Sequence, residues 1–97
     1  MQYRLSEFLV TEISRFARKH DIERIILFGS RARGTNSPRS DIDIAVSGGD
    51  VDRFSIDISE NADTLLMFDI VPLDYGITDE LRNEIDRDGV IIYEKDG

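Results

Sequence analysis

The distribution of apolar residues along the chain predicts alternating helices and strands. Apolar side chains recur at spacings of three and four across residues 4–19, which is typical of an amphipathic helix. Short, nearly continuous apolar runs at residues 24–28 and 65–73 are typical of buried strands. The first of these runs ends at Gly29-Ser30, which we expect to turn the chain into a short helix.

The rest of the chain continues this alternation. Turn-forming residues, helix caps and short apolar runs mark the boundaries. We predict a turn at residues 35–39, a strand at 40–46, a helix from Val51 to Ala62 capped by Asp50, the strand at 65–73, a helix from Thr78 to near Gly89, and a last strand at 90–93. The prediction is a single α/β (α+β) domain over residues 1–97, with a small mixed sheet of three to four strands flanked by helices.

Composition limits the class of protein. A chain of 97 residues has room for one modest core, and 40% hydrophobic residues are enough to form it. The chain has no cysteine, so neither disulfides nor zinc–thiolate sites are expected. No apolar run approaches the ~20 residues of a membrane span, and the amino terminus does not look like a signal peptide. We therefore expect a cytoplasmic protein with no membrane association.

The net charge of -8 argues against general nucleic-acid binding, which depends on many Lys and Arg side chains. Three arginines nevertheless lie close together in the chain, at Arg31, Arg33 and Arg39. Local positive charge in an acidic chain favours a small anionic ligand such as a nucleotide.

Paired carboxylates follow the arginines. In the predicted strand, Asp41 and Asp43 are two residues apart and therefore share one face of the sheet. Two carboxylates on one face repel each other unless a cation lies between them. Mg²⁺ takes oxygen ligands and is commonly held by one or two carboxylates together with substrate phosphates. The sequence thus predicts a magnesium and nucleotide site.

Two motifs in the centre of the chain carry a family resemblance. They are Gly29-Ser30-x-Ala32-Arg33-Gly34 and Ser40-Asp41-x-Asp43. Their order and spacing resemble the signature of the minimal nucleotidyltransferases (MNT), the smallest members of the DNA polymerase β-like nucleotidyltransferase superfamily. The resemblance implies the nucleotidyltransferase fold, and the order of predicted elements across nearly the whole chain agrees with it.

The resemblance also implies a third carboxylate on a neighbouring strand. Asp69 is the only acidic residue within the third apolar strand, and we assign it that role. Asp74 is the competing candidate, but it lies beyond Pro72 and looks like part of a loop. The structural alternative for Asp69 is an aspartate at a strand end, bonded to an arginine or to backbone.

Site roles follow from the resemblance. Asp41 and Asp43 would hold two Mg²⁺ ions, and Asp69 would bind a metal or accept the proton of the attacking hydroxyl. ATP would be the substrate, its α-phosphorus attacked in line as pyrophosphate leaves. Residues expected to contact the nucleotide are Gly29, Ser30, Arg33 and Ser40.

The remaining candidate residues have structural readings. Arg33 could instead tie the motif helix to a carboxylate. We expect Arg31 to be exposed to solvent and Arg39 to be solvated, although Arg39 could turn toward substrate. His20, the only histidine, is most simply the residue that ends the first helix.

The resemblance further implies a partner and an acceptor. Minimal nucleotidyltransferases often pair with HEPN-domain toxins, and characterised members transfer AMP from ATP to a tyrosine of the HEPN ribonuclease and silence it. We therefore expect an antitoxin of this kind. Two alternatives stay open, namely a transferase acting on a small molecule and a non-catalytic nucleotide-binding antitoxin or regulator. A homo-oligomer is a further alternative for its partners.

Overall fold

A computed structural model of the chain describes residues 5–96. Within that range, helices and strands alternate much as the apolar pattern predicts. The elements are α1 (Glu7–Lys19), β1 (Arg24–Phe28), α2 (Gly29–Arg33), β2 (Ile42–Ser47), α3 (Val51–Asn61), β3 (Phe68–Pro72), α4 (Asp79–Asp88) and β4 (Val90–Glu94). No helix among these residues is long and apolar enough to cross a bilayer.

The four strands form one mixed sheet in the order β3-β2-β1-β4. Strand β1 is antiparallel to both of its neighbours, β2 and β4. Strands β2 and β3 are parallel, and the crossover between them runs through α3, as parallel neighbours require. The predicted mixed α/β fold is confirmed.

One face of the sheet is covered by α1 and α3. Helix α1 begins behind Ser6, whose hydroxyl accepts a hydrogen bond from the Leu9 amide, and α3 begins behind Asp50, which caps it as predicted. The apolar stripes of these helices pack on the inward side chains of the strands. The buried residues of this core are Leu9, Ile13, Phe16, Ala17, Ile22, Ile25, Leu27, Ala32, Ile42, Ile44, Val46, Val51, Phe54 and Ile58.

A partly buried carboxylate, Asp57, links the two helices of this face. Asp57 on α3 accepts a hydrogen bond from His20 (2.7 Å) and pairs with Lys19 at 2.9 Å. Hydrogen bonds from Lys19, His20 and Asn61 hold the pKa of Asp57 below its ordinary value. His20 is the C-cap of α1, which confirms the reading of this histidine as a helix-terminal residue.

The opposite face has a smaller apolar cluster, beneath α4. Phe28, Ala45 and Ile85 form its buried part. Helix α4 begins behind Thr78, whose hydroxyl accepts a hydrogen bond from the Leu81 amide, and it ends at Asp88 before Gly89. Both boundaries agree with the sequence prediction.

Several element boundaries differ from the prediction by one to three residues. Strand β2 covers Ile42–Ser47 and not residues 40–46, so Asp41 lies just before the strand and not within it, and α3 ends at Asn61 and not at Ala62. Helix α1 begins at Glu7, whereas the predicted start at residue 4 lies outside the described residues. Strand β3 begins at Phe68 and not at Leu65, which is fully exposed. The reason is that β3 is an edge strand whose only neighbour is β2, and pairing begins only where the Ile42 amide donates to the Met67 carbonyl.

Candidate active site

The centre of the site is a pair of carboxylates on adjacent strands. Asp43 of β2 and Asp69 of β3 are register partners in the parallel pairing. Directly opposed residues on neighbouring strands project from the same face of a sheet, so these side chains meet. Asp41 precedes β2 and lies two residues before Asp43. Strand register thus brings together Asp43 and Asp69, as predicted, and places Asp41 next to them.

Gly29 closes one side of this carboxylate pair. Its φ is +73°, in the left-handed region that favours glycine, and it ends β1 where Phe28 is the register partner of Asp43. A Cβ atom at this position would lie 2.3 Å from Oδ2 of Asp43. The first glycine of the motif therefore allows the turn after β1 to approach the carboxylate within contact distance.

The electrostatics of the site are dominated by like charge. Partial burial, followed by the negative charges of Asp69 and Asp41, raises the pKa of Asp43 to about 6. A hydrogen bond that protonated Asp43 donates to Asp69 and the negative charge of Glu84 on α4 act in the same direction. The site therefore concentrates negative charge that a cation would neutralise. Glu84 carries no motif, and sequence reasoning did not single it out.

The donor set fits a partial magnesium site. Among residues 5–96, no three histidine, cysteine or acidic side chains are arranged as a ready metal cage. Mg²⁺ in nucleotide enzymes does not need one, because one or two carboxylates plus substrate phosphates and water complete its coordination. Asp43 and Asp69 supply hard oxygen donors on one face, next to Asp41. A bound cation would offset the repulsion between these carboxylates.

Arg31 differs from its prediction. It was expected to be exposed, but it is buried, with 6% of its surface accessible. Its guanidinium donates hydrogen bonds to the carbonyl oxygen of Ser40, from Nε at 3.1 Å and Nη2 at 2.8 Å, and Nη2 also donates to the Pro38 carbonyl at 3.3 Å. Because Ser40 directly precedes Asp41, Arg31 fixes the loop that delivers this carboxylate to the site.

Arg33 turns toward α4. Its Nη1 atom lies 3.6 Å from Asp88 and 3.8 Å from Glu84, both on that helix. This contact matches the structural reading given to Arg33 from sequence, in which it ties the motif helix to a carboxylate. Arg39 is exposed, as expected. A nucleotide contact by Arg33 stays a prediction.

The two motif serines occupy different settings. Ser30 lies in α2, and its carbonyl accepts hydrogen bonds from the Gly34 and Thr35 amides, which closes the turn of the motif helix. The Ser40 hydroxyl accepts a hydrogen bond from the Ser37 amide at 2.9 Å and so stabilises the loop before Asp41. Their predicted contacts with the nucleotide stay predictions.

The structure separates the two candidates for the third carboxylate. Asp74 lies beyond the opposite end of β3, where its Oδ2 accepts a hydrogen bond from the Gly48 amide at 2.8 Å. Asp69 instead faces Asp43. The geometry therefore favours Asp69, and it gives Asp74 the role of holding the turn after β2.

Comparison with protein families agrees with this geometry. The family described as "Polymerase beta, Nucleotidyltransferase" matches residues 11–97, nearly the whole chain. No curated protein sequence matches significantly.

Solved structures share the fold. A chain of a toxin–antitoxin crystal structure with AMP-PNP aligns with a TM-score of 0.71 and 24% identity, over 89% of this chain and 73% of that one. A variant of the MntA–HpeT toxin–antitoxin complex aligns with a TM-score of 0.69 and 25% identity, over 95% and 75%. A complex of a tri-AMPylated HEPN toxin with its MNT antitoxin from Shewanella oneidensis gives 0.63 and 21%, over 89% and 70%.

The family match and the paired carboxylates lead to the same assignment. The chain belongs to the polymerase β nucleotidyltransferase family, and it is a nucleotidyltransferase.

Proposed function

We propose that this chain is the antitoxin of a toxin–antitoxin pair and that it transfers AMP from ATP to a tyrosine hydroxyl of a HEPN ribonuclease. The observation that carries the proposal is the register pairing of Asp43 with Asp69 against Gly29. Two structural neighbours support the nucleotide and the partner. One is a toxin–antitoxin complex with AMP-PNP, and another contains an AMPylated HEPN toxin.

The residues of the chain divide the work of the reaction. The turn at Gly29-Ser30 orients the phosphates of ATP beside the carboxylates. Asp41 and Asp43 would hold Mg²⁺, which would neutralise phosphate charge and make the acceptor hydroxyl more acidic. Asp69 is placed to accept the proton of that hydroxyl. Catalysis of this kind depends on positioning and charge neutralisation, and the pairing of Asp43 with Asp69 on adjacent strands supports such positioning.

The test is transfer of label from α-labelled ATP, with Mg²⁺, to the product of the neighbouring gene, which the proposal expects to be a HEPN protein. Mass spectrometry would then locate the added AMP on a tyrosine. Asp41→Asn should abolish labelling. Asp52→Asn is the matched control, because Asp52 is exposed in the first turn of α3, on the opposite face of the sheet, and this variant should label the partner normally.

The same variants distinguish catalysis from simple binding. If inhibition of the HEPN ribonuclease requires ATP, Mg²⁺ and an intact Asp41, the catalytic proposal holds. If the Asp41→Asn protein inhibits the ribonuclease as well as the unaltered protein does, the chain acts by binding alone and the proposal is wrong.

A further inference from the structure

A cavity of about 480 Å³ lies beside Asp41. Its lining combines apolar side chains with one cation and one carboxylate of the site. The lining residues are Arg39, Asp41, Leu65, Leu66 and Met67. Because Asp41 belongs to both, the cavity and the candidate active site are continuous.

The apolar part of this lining is unusually exposed. Leu65 is fully accessible, and 69% of the surface of Met67 is accessible. The alternation of side chains along a strand explains where Met67 points. Phe68 and Ile70 pack against the main core. Asp69, and Met67 two residues before it, therefore face the other way. Met67 thus lies on the carboxylate side of the sheet, at the outer edge formed by β3.

The chemistry of the reaction decides what can approach from this edge. Displacement at phosphorus places the attacking and leaving oxygens on opposite sides of the phosphorus atom. The phosphate turn at Gly29-Ser30 ends β1, whereas Asp69 lies on β3, on the other side of β2. If pyrophosphate leaves toward β1, the acceptor oxygen must arrive from β3, where the cavity opens.

We propose that this cavity is the acceptor pocket and that it takes the phenol ring of a tyrosine presented by a partner protein. The inference rests on the proposed function and adds the residues that select the acceptor. Leucine and methionine side chains provide an apolar wall for an aromatic ring, and methionine sulfur favours contact with ring edges. A sugar hydroxyl or a polycationic small molecule would find few polar partners on that wall.

Charge complementarity favours a phenol over an aliphatic alcohol. Arg39 is the one cation in the lining, and it can lie over the ring face or beside the developing phenolate. A tyrosine hydroxyl has a pKa near 10 and therefore gives up its proton more readily than a serine hydroxyl.

Transfer of AMP in this pocket forms one bond to phosphorus and breaks another. A bond forms between the phenolic oxygen and the α-phosphorus of ATP, and the bond from that phosphorus to the bridging oxygen of pyrophosphate breaks. Pyrophosphate leaves with the electron pair of the broken bond. The phenolic proton passes to a carboxylate of the site, for which Asp69 is placed.

The experiment measures AMP transfer to the HEPN protein that the labelling experiment above identifies as the partner, with kcat and the KM values for ATP and for that HEPN protein determined separately. The cavity variants are Leu65→Ser and Met67→Ser. Ile56→Ser is the matched control, because Ile56 is an apolar residue on α3, on the covered side of the sheet, and its exposed fraction of 62% is close to that of Met67. Leu65 and Met67 are exposed, so we expect unchanged thermal unfolding in both cavity variants.

We expect each cavity variant to raise the KM for the HEPN protein by about tenfold while the KM for ATP stays within about twofold. N-acetyl-tyrosinamide should compete with the HEPN protein for the unaltered chain and lose this effect with Met67→Ser. N-acetyl-serinamide should not compete.

Three outcomes would overturn the inference. Normal KM values for the HEPN protein in both cavity variants would show that the cavity does not bind the acceptor, and would leave the proposed function unaffected. A raised KM for ATP alone would assign the cavity to the nucleotide base. Absence of any transfer by the unaltered protein would refute the proposed function and the acceptor pocket together.

Discussion

The two faces of the sheet are covered to different degrees. Helices α1 and α3 bury their face so completely that Ile13, Phe54 and Ile58 have no accessible surface. On the other face, α4 covers Phe28 but leaves the carboxylate end open, with Asp69 exposed. Burial of apolar area stabilises the first face, whereas like charge collected on the second opposes folding. Stability and chemistry are therefore assigned to opposite sides of one thin sheet.

The largest expected effect comes from removing a carboxylate of the open face. Asp69→Asn should lower the rate of AMP transfer by at least about 10³-fold, because the group that we propose to bind metal or accept the proton is lost. Its exposed position predicts little change in unfolding temperature. Asp74→Asn, the same substitution at the other end of β3, should retain activity. Equal losses in both variants would show that the acidic group cannot be assigned from strand register.

The next largest effect is expected on the covered face, where a core substitution should lower stability. Phe54→Ala should lower the free energy of unfolding by about 3–5 kcal/mol, because it leaves a cavity in the main core. Phe8→Ala, at an apolar position of α1 that is half exposed, should cost less than about 0.5 kcal/mol. Denaturant unfolding of both variants measures this difference. A small cost at Phe54 would mean that α3 does not seal this face.

Substitution of Gly29 tests the contact between the turn at Gly29-Ser30 and the carboxylates. Gly29→Ala introduces a Cβ atom at positive φ and within 2.3 Å of Asp43 Oδ2, so it should cost about 1–3 kcal/mol and lower kcat by displacing that carboxylate. Gly76→Ala is the control, since a Cβ there meets nothing within 4 Å. Unfolding and transfer assays on both variants measure the effect. Wild-type kcat in Gly29→Ala would argue against the close approach.

The smallest expected effect sharpens the electrostatic difference between the faces. The pKa of Asp43 is raised from 3.8 to about 6, so the folded state binds this proton more tightly than the unfolded chain does. The stability contribution of this carboxyl is fully present below pH 3.8 and is lost as pH rises through about 6. After discounting for its solvent exposure, Asp43→Asn should be more stable than the unaltered protein by about 1 kcal/mol at neutral pH.

That prediction is checked by denaturant unfolding of both proteins across this pH range without divalent ions. The difference should vanish at acidic pH. Added Mg²⁺ should narrow it at neutral pH by stabilising the unaltered protein more than the variant. A constant difference at all pH values would show that packing, and not charge, separates the two proteins.

The elements that could be predicted from sequence are those specified locally. Asp50 and Thr78 accept hydrogen bonds from the amides three residues later, and this capping depends only on adjacent residues. The β1 strand at residues 24–28 also has the predicted bounds, since an apolar run that ends at a glycine defines both of its ends.

Features that depend on distant partners could not be read in this way. Arg31 looks like a surface residue of a short helix, because the two carbonyls that bury its guanidinium lie in a loop that only the folded chain brings close. The excess of apolar residues before β3 did carry a signal. A nine-residue run is longer than the usual strand of five or six residues, and its surplus residues line the cavity.

Strand order has a consequence for how the domain folds. The partner strands of β1 include β4, so that Arg24 pairs with Glu94 across most of the chain. Contacts between residues so far apart in sequence form slowly, because the chain loses the entropy of closing a long loop before the strand pairing stabilises it. Until β4 docks, the apolar edge of β1 stays open to other chains. Folding of this domain should therefore be slower and more prone to aggregation than its small size suggests.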